Sequence, residues 1–280
     1  MTAVHEPRRA AVLGKPIAHS LSPVIHNAGY RHAGLADWHY TAHECGEADL
    51  AGFVAGLDDT WVGLSLTMPL KEVALQVADE VAPLAAALGA ANTLVRLPDG
   101  GWRAENTDAP GMVDALRSVG VERAGTASVL GAGGTARAAL GACRELGVSV
   151  VTVFARRPEA VDELLPVAHA LGLEMLGADW SRVAGHAGQA DVVFSTVPKG
   201  VADPLAGTLA WRDGTVSFDA VYDPWPTPLA AAASAAGCRI VSGLDLLLAQ
   251  AVHQFELFTG GPAPVGAMRD ALFAAAAART

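Results

Sequence analysis

Two groupings in the 280-residue chain have the residue types and spacing of chemical sites. The first is the turn Gly131-Ala132-Gly133-Gly134-Thr135-Ala136, a match to G-x-G-x-x-G/A. Glycine at 131 permits a tight strand-to-helix turn. Glycine at 133 lets the backbone approach a pyrophosphate seated on the helix N-terminus, where unpaired N–H groups gather. Such a motif is weak alone, but here it joins a predicted strand ending at Leu130 to a predicted helix beginning near Thr135, inside a βαβ unit of about thirty residues. The next strand, Ser149 to Phe154, should deliver the residue that meets the adenosine ribose. An NAD site usually places a carboxylate there, whereas this chain reads Ala155-Arg156-Arg157-Pro158. Two guanidiniums and no carboxylate suit a 2′-phosphate, which arginine holds by bidentate charge-assisted bonds. NADP(H) is therefore favoured over NAD(H); the alternative for Arg156 and Arg157 is an ordinary solvated loop.

The second grouping is a set of four polar knots: His19-Ser20-Leu21-Ser22-Pro23, Thr67-Met68-Pro69-Leu70-Lys71, Ala91-Asn92-Thr93 and Glu105-Asn106-Thr107-Asp108. Each lies at or beside a junction where a predicted strand hands over to a loop or helix. Ligands of α/β sheets bind at the carboxyl ends of strands, so hydroxyls, amides, one lysine and one aspartate can converge there on a small, hydroxylated, anionic substrate. Each also has a plain alternative. Ser22 suits an N-cap for the helix that Pro23 starts, Asp108 suits a cap for the helix Ala109 to Ser118, and Lys71 suits a surface lysine. His19, His26 and His253 are read as structural histidines, with no catalytic role.

The elements that must position these groups follow from the apolar pattern. From Thr126 onward, strand candidates at Ser128–Leu130, Ser149–Phe154, Asp191–Thr196 and Thr215–Ala220 alternate with alanine-rich helical stretches, which is the mark of a parallel sheet covered on both faces. That region, 108–242, reads as one domain. Upstream, strands are predicted at Ala10–Leu13, Trp38–Glu44, Trp61–Leu66 and Thr93–Arg96, the last joined through Leu97-Pro98-Asp99-Gly100-Gly101 to a hairpin partner at Trp102–Glu105. Two helices close the chain, one from Gly243 through Phe258 and one from Val265 to Ala278.

Composition bounds the function. Hydrophobic residues at 51% exclude a disordered chain, and a net charge of −10 argues against a nucleic-acid or anionic-membrane surface. No run approaches the roughly 18 apolar residues of a membrane span. Cys45, Cys143 and Cys238 lie far apart with no CxxC, so neither a disulfide framework nor a zinc site is suggested, and no metal is expected. Reduced thiols point to the cytoplasm. The expected partner is a small-molecule substrate, in a monomer or homodimer.

In order and spacing these motifs resemble the shikimate dehydrogenase family across nearly the whole chain. Gly14-Lys15-Pro16-Ile17-Ala18-His19-Ser20-Leu21-Ser22-Pro23 with His26-Asn27 is similar to the family's opening G-x-P-I-x-H-S-x-S-P-x-x-H-N. Thr67 to Lys71 matches T-x-P-x-K, Gly89 to Thr93 matches G-A-x-N-T, and Asn106-Thr107-Asp108 matches N-T-D. The glycine turn, the segment Val221-Tyr222 to Leu229, and Gly243 with Gln250 complete the pattern. The resemblance implies two α/β domains with the active site in the cleft between them: a substrate domain at 1–107 plus 243–280 and a Rossmann-type NADP domain at 108–242. It implies NADPH-dependent reduction of 3-dehydroshikimate to shikimate. Ser20, Ser22 and Tyr222 would hold the substrate carboxylate, and Thr67, Asn92, Asp108 and Gln250 the ring hydroxyls and reacting oxygen, with Lys71 and Asp108 as the catalytic pair. Cofactor contacts are implied at Gly131 to Ala136, Ala155 to Arg157, Thr196, Val197, Pro198, Val221 and Gly243. Ser65 departs from the family's usual asparagine, Ala155-Arg156-Arg157 from its Asn-Arg-Thr, Ser195 to Pro198 from its Asn-x-T/S-P, and Leu247 and Leu248 lie where it often has methionine. The other readings are a quinate or aminoshikimate dehydrogenase of the same family, and a protein that senses NADP or shikimate without turnover.

Overall fold

The computed structural model describes residues 7–279. Twelve strands are described: β1 (Arg8–Gly14), β2 (Trp38–Glu44), β3 (Trp61–Leu66), β4 (Glu80–Val81), β5 (Thr93–Arg96), β6 (Trp102–Glu105), β7 (Thr126–Leu130), β8 (Val150–Ala155), β9 (Glu174–Asp179), β10 (Val192–Ser195), β11 (Val216–Asp219) and β12 (Arg239–Ser242). The chain divides into two units. The first holds the described residues through Thr107 together with those from Gln250 onward, and the second holds Asp108–Ala249.

The first unit is built on a sheet of order β2-β1-β3-β5-β6-β4. β1 pairs in parallel with both β2 and β3, and its apolar run is buried almost throughout, as a central parallel strand covered on both faces requires. β5 runs antiparallel to β3 and to β6, with Ser65 opposite Thr93 and Thr93 opposite Glu105. This direction matters for the site. It brings the end of β3, the start of β5 and the end of β6 to one end of the sheet, so three of the four polar knots sit there together. The helix Ser22–His32 starts one residue earlier than an N-cap role for Ser22 needs. Leu21 holds the cap position without a side-chain bond, and Ser22 is the first helical residue, its N–H donating to Ser20 Oγ at 3.3 Å. Gly34, at φ +72°, ends this helix in the left-handed region that glycine adopts without strain.

The second unit carries an all-parallel sheet of order β12-β11-β10-β7-β8-β9. The order reverses between β7 and β10, and the glycine turn leaves the end of β7 at that switch point, where doubly wound sheets place their ligand. β10 and β11 are wholly buried, and β7 nearly so. Two strands of this unit lie outside the sequence expectation, as does the two-residue β4 of the first. β9 is a mostly exposed edge strand, Glu-Met-Leu-Gly-Ala-Asp, that lacks β-branched residues, and β12 is four residues at the other edge. Among the described residues no helix is long and apolar enough to cross a membrane.

Candidate active site

In the first unit, backbone bonds tie the knots to one another. Thr67 N–H donates to Leu13 O at 2.9 Å and Lys15 N–H to Met68 O at 3.0 Å, which seats the loop after β1 beside the loop after β3. The fit depends on Gly14, where any side chain would collide with Thr67. Ala91 N–H donates to Lys71 O at 2.7 Å, and Asn92 N–H to Glu105 O at 3.1 Å, so Lys71, Asn92 and the end of β6 are neighbours. Lys71, Thr67 and Ser20 are half-buried, whereas Ser22, Asn92, Thr107 and Gln250 are buried.

Asn92 is the most constrained of these side chains. Its Oδ1 accepts from Thr107 N–H at 2.7 Å, Thr107 Oγ1 at 3.1 Å and Thr93 Oγ1 at 3.0 Å. A backbone N–H can only donate, so the atom facing it must be the amide oxygen. The amide is thereby oriented with Nδ2 as its remaining face, a donor for a ligand oxygen. Asp108 follows Thr107 directly and is the first residue of the helix Asp108–Ser118. Neither Thr107 nor Thr93 was singled out by itself in the sequence, although both stand inside the N-T motifs.

Behind Asn92 lies a buried aromatic and amide layer. Tyr40 stacks on His26 with ring centroids 4.2 Å apart and an interplanar angle of 2°. Asn27 holds Tyr40 by its backbone on both sides, accepting from Tyr40 N–H at 3.0 Å and donating to Tyr40 O at 2.8 Å. The His26 and Asn27 of the opening motif are thus scaffold for β2. His26 is fully buried, neither ring nitrogen meets a partner in good hydrogen-bond geometry, and burial lowers its pKa to about 3, with the neighbouring Gln254 amide opposing the shift. Burial likewise pushes the Tyr40 phenol up, so it stays protonated.

In the second unit Gly131 has φ +103°, and a Cβ there would meet Thr196 Oγ1 at 2.9 Å and Val197 Cγ1 at 3.1 Å. Glycine is required for both reasons, and the glycine turn and the Thr196-Val197 segment are in contact. Thr196 locks that contact by donating its N–H and hydroxyl to Leu130 O at 3.0 and 2.8 Å. Gly133 is exposed with open space around its Cβ position, and the helix Gly134–Glu145 follows it. Gly131 N–H donates to Phe154 O at 2.9 Å, which aligns the turn with the end of β8; Ala155 ends that strand buried, and Arg156 and Arg157 emerge from it exposed. A bare glycine cradle, a helix N-terminus and two free-standing guanidiniums at the ribose position fit NADP(H), and no carboxylate stands at 155–157 to repel a 2′-phosphate.

Val221 and Tyr222 follow β11 and are half-buried. Their loop is anchored by Asp219, a residue without a signal in the sequence. Its carboxylate accepts from Val221 N–H at 3.1 Å and from Thr227 Oγ1 at 2.7 Å, and burial raises its pKa against those bonds. Gly243 meets the same loop, since a side chain there would collide with the Ala220 carbonyl.

One Rossmann-type dinucleotide-binding unit and one mixed-sheet unit that gathers hydroxyls, amides and one lysine at one end of its sheet define the class of two-domain α/β dinucleotide-binding proteins. Comparison with known proteins narrows the class. Residues 12–94 match the family model described as the shikimate dehydrogenase substrate binding domain, and residues 243–273 match the shikimate 5′-dehydrogenase C-terminal domain. A relative named shikimate dehydrogenase (NADP(+)) from Methanothermobacter thermautotrophicus is 37% identical over 268 residues, spanning 93% of this chain and 94% of the relative. The crystal structure of Mycobacterium tuberculosis shikimate dehydrogenase superposes with a TM-score of 0.88 at 48% identity, covering 96% of this chain and all of that one. A Thermus thermophilus shikimate 5-dehydrogenase solved in complex with NADP(H) and shikimate superposes with a TM-score of 0.83 at 33% identity, over 96% and 99% of the two chains. The chain belongs to the shikimate dehydrogenase family.

Proposed function

We propose that the protein catalyses the reversible NADPH-dependent reduction of 3-dehydroshikimate to shikimate, a step of aromatic amino acid and chorismate biosynthesis, in the cytoplasm. The observation that carries this reading is the fixed amide of Asn92: with Oδ1 taken by three donors, Nδ2 is held as a donor beside Lys71 and the N-T-D segment, as recognition of a ring oxygen needs.

On this reading residues 1–107 with 243–280 form the substrate domain and 108–242 the NADP domain. The bound NADPH supplies the hydride. Gly131 to Ala136 receive the pyrophosphate at the helix N-terminus, Arg156 and Arg157 the 2′-phosphate, and Ala155, Thr196 to Pro198, Val221 and Gly243 line the remainder of the cofactor's path. Ser20, Ser22 and Tyr222 bind the substrate carboxylate through hydroxyls, while Thr67, Asn92, Asp108 and Gln250 bind the ring oxygens. The alkoxide left by hydride arrival needs a proton, and Lys71 donates it, with Asp108 orienting the ammonium. Three free, buried thiols at Cys45, Cys143 and Cys238 suit a reducing compartment. The protein works as a monomer or homodimer.

Following the near-ultraviolet absorbance of the reduced cofactor, with 3-dehydroshikimate or quinate and with NADP(H) or NAD(H), tests the proposal. Fast oxidation of NADPH by 3-dehydroshikimate is expected. Preference for quinate with NAD⁺ would overturn the reading of Arg156 and Arg157, and absence of turnover with every pair would favour a sensor.

A further inference from the structure

The buried bonds behind Asn92 form a chain whose direction can be derived. Thr107 N–H fixes the Asn92 atom it meets as oxygen. Thr93 Oγ1 meets that oxygen at 3.0 Å and Thr107 Oγ1, whose own proton goes to the same oxygen, at 3.3 Å, so Thr93 donates to the nearer amide oxygen and accepts from its remaining neighbour. That neighbour is Gln254, at 3.0 Å, so the Gln254 atom facing Thr93 is Nε2 and the atom on its other side is Oε1. Oε1 needs a donor, which Ser65 Oγ supplies at 2.7 Å, and Ser65 in turn accepts from Tyr40 Oη at 2.6 Å. All five residues are at least 96% buried.

We propose that Gln254 is a positioning residue for substrate recognition: it is the amide link of a one-directional relay, Tyr40 to Ser65 to Gln254 to Thr93 to Asn92, that holds the Asn92 amide with Nδ2 toward the substrate. The inference rests on the function proposed above and adds a residue to it. Two features give Gln254 this place. It lies one helical turn beyond Gln250, so its bonds to β3 and β5 also seat the helix Gly243–Thr259 that carries Gln250. Its amide is also the only kind of group that can accept from one hydroxyl and donate to the other in a fixed sense; a hydroxyl pair alone could reverse. Ser65 stands opposite Thr93 across β3 and β5, and its hydroxyl goes to that amide at 2.7 Å.

Gln254→Met keeps the length of the side chain and removes the amide. The expected result is a fall of about tenfold in kcat/KM for shikimate, carried mainly by KM, with the KM for NADP⁺ unchanged. Thr93→Val should give a similar loss and Thr93→Ser, which keeps the hydroxyl, should not. Because the two residues act in series, Gln254→Met combined with Thr93→Val should be no worse than either alone. Wild-type kcat/KM in folded Gln254→Met, losses that multiply in the double variant, or an equal rise in the KM for NADP⁺ would each overturn the relay. Should Gln254→Met fail to fold, the contrast between Thr93→Val and Thr93→Ser decides. A wild-type enzyme with no shikimate turnover would remove the functional reading instead, and this inference with it.

Discussion

Lowering the pH should destabilise the first unit through one buried imidazole, His26. The ring is fully buried against Tyr40, and its pKa falls from 6.5 to about 3 because burial penalises the charged form. The native state therefore keeps His26 neutral while the unfolded chain takes up a proton below about pH 6.5. For a depressed pKa the stabilisation is fully present above 6.5 and is lost as pH falls toward 3. At about 1.4 kcal/mol per unit, and allowing for partial protonation near the upper pKa, the loss between about pH 7 and about pH 4.5 is roughly 2.5 kcal/mol. Other groups titrate in that window as well, so the comparison is with His26→Phe, which keeps a flat ring to stack on Tyr40 and has nothing to protonate. Urea unfolding of both proteins at the two pH values, read from the first unit's transition, gives a double difference in which those other groups cancel. Whatever the substitution costs at neutral pH, the gap between wild type and variant should move in the variant's favour by about 2.5 kcal/mol on acidification. A gap that stays constant within about 0.5 kcal/mol would mean that the native protein accommodates the imidazolium, and the argument from burial would fail.

Three further outcomes follow from the site. Lys71→Ala should lower kcat by about 10² to 10⁴ with NADPH affinity unchanged, as measured by steady-state turnover and cofactor titration, and a loss under about tenfold would take proton donation away from Lys71. Replacing Arg156 and Arg157 together with alanine should raise the KM for NADPH by about tenfold or more and leave that for NADH nearly unaltered, since only NADPH carries the 2′-phosphate; equal effects on the two would return this pair to an ordinary surface loop. Gly131→Ala combines φ +103° with a clash against Thr196 and Val197, so the variant should lose at least about 1 kcal/mol of stability and bind NADP⁺ poorly, measured by thermal unfolding with and without the nucleotide.

What the sequence determined by itself is what depends on neighbours along the chain. The glycine turn is legible because φ > 0 at Gly131 and an open approach at Gly133 are properties of single residues, and the strand and helix around them declare themselves through apolar blocks of different length. Buried central strands such as β1 and β10 are legible for the same reason. Edge strands are not: β9 has one face in solvent and no β-branched residue, so its strand identity comes from pairing with β8 and not from its own propensity. Ser22 shows the limit at the scale of one residue, since a serine before a proline fits a cap on paper, while the helix begins one position earlier. The relay behind Asn92 was decided only by the tertiary structure. Ser65 and Gln254 are 189 positions apart, and nothing in the local pattern of either names the other. The direction of the relay depends on a backbone N–H at Thr107, placed by the antiparallel turn of β5 and β6. Periodicity encodes which face of an element is buried; which polar groups meet beneath that face, and which of them must donate, is set by how the elements pack.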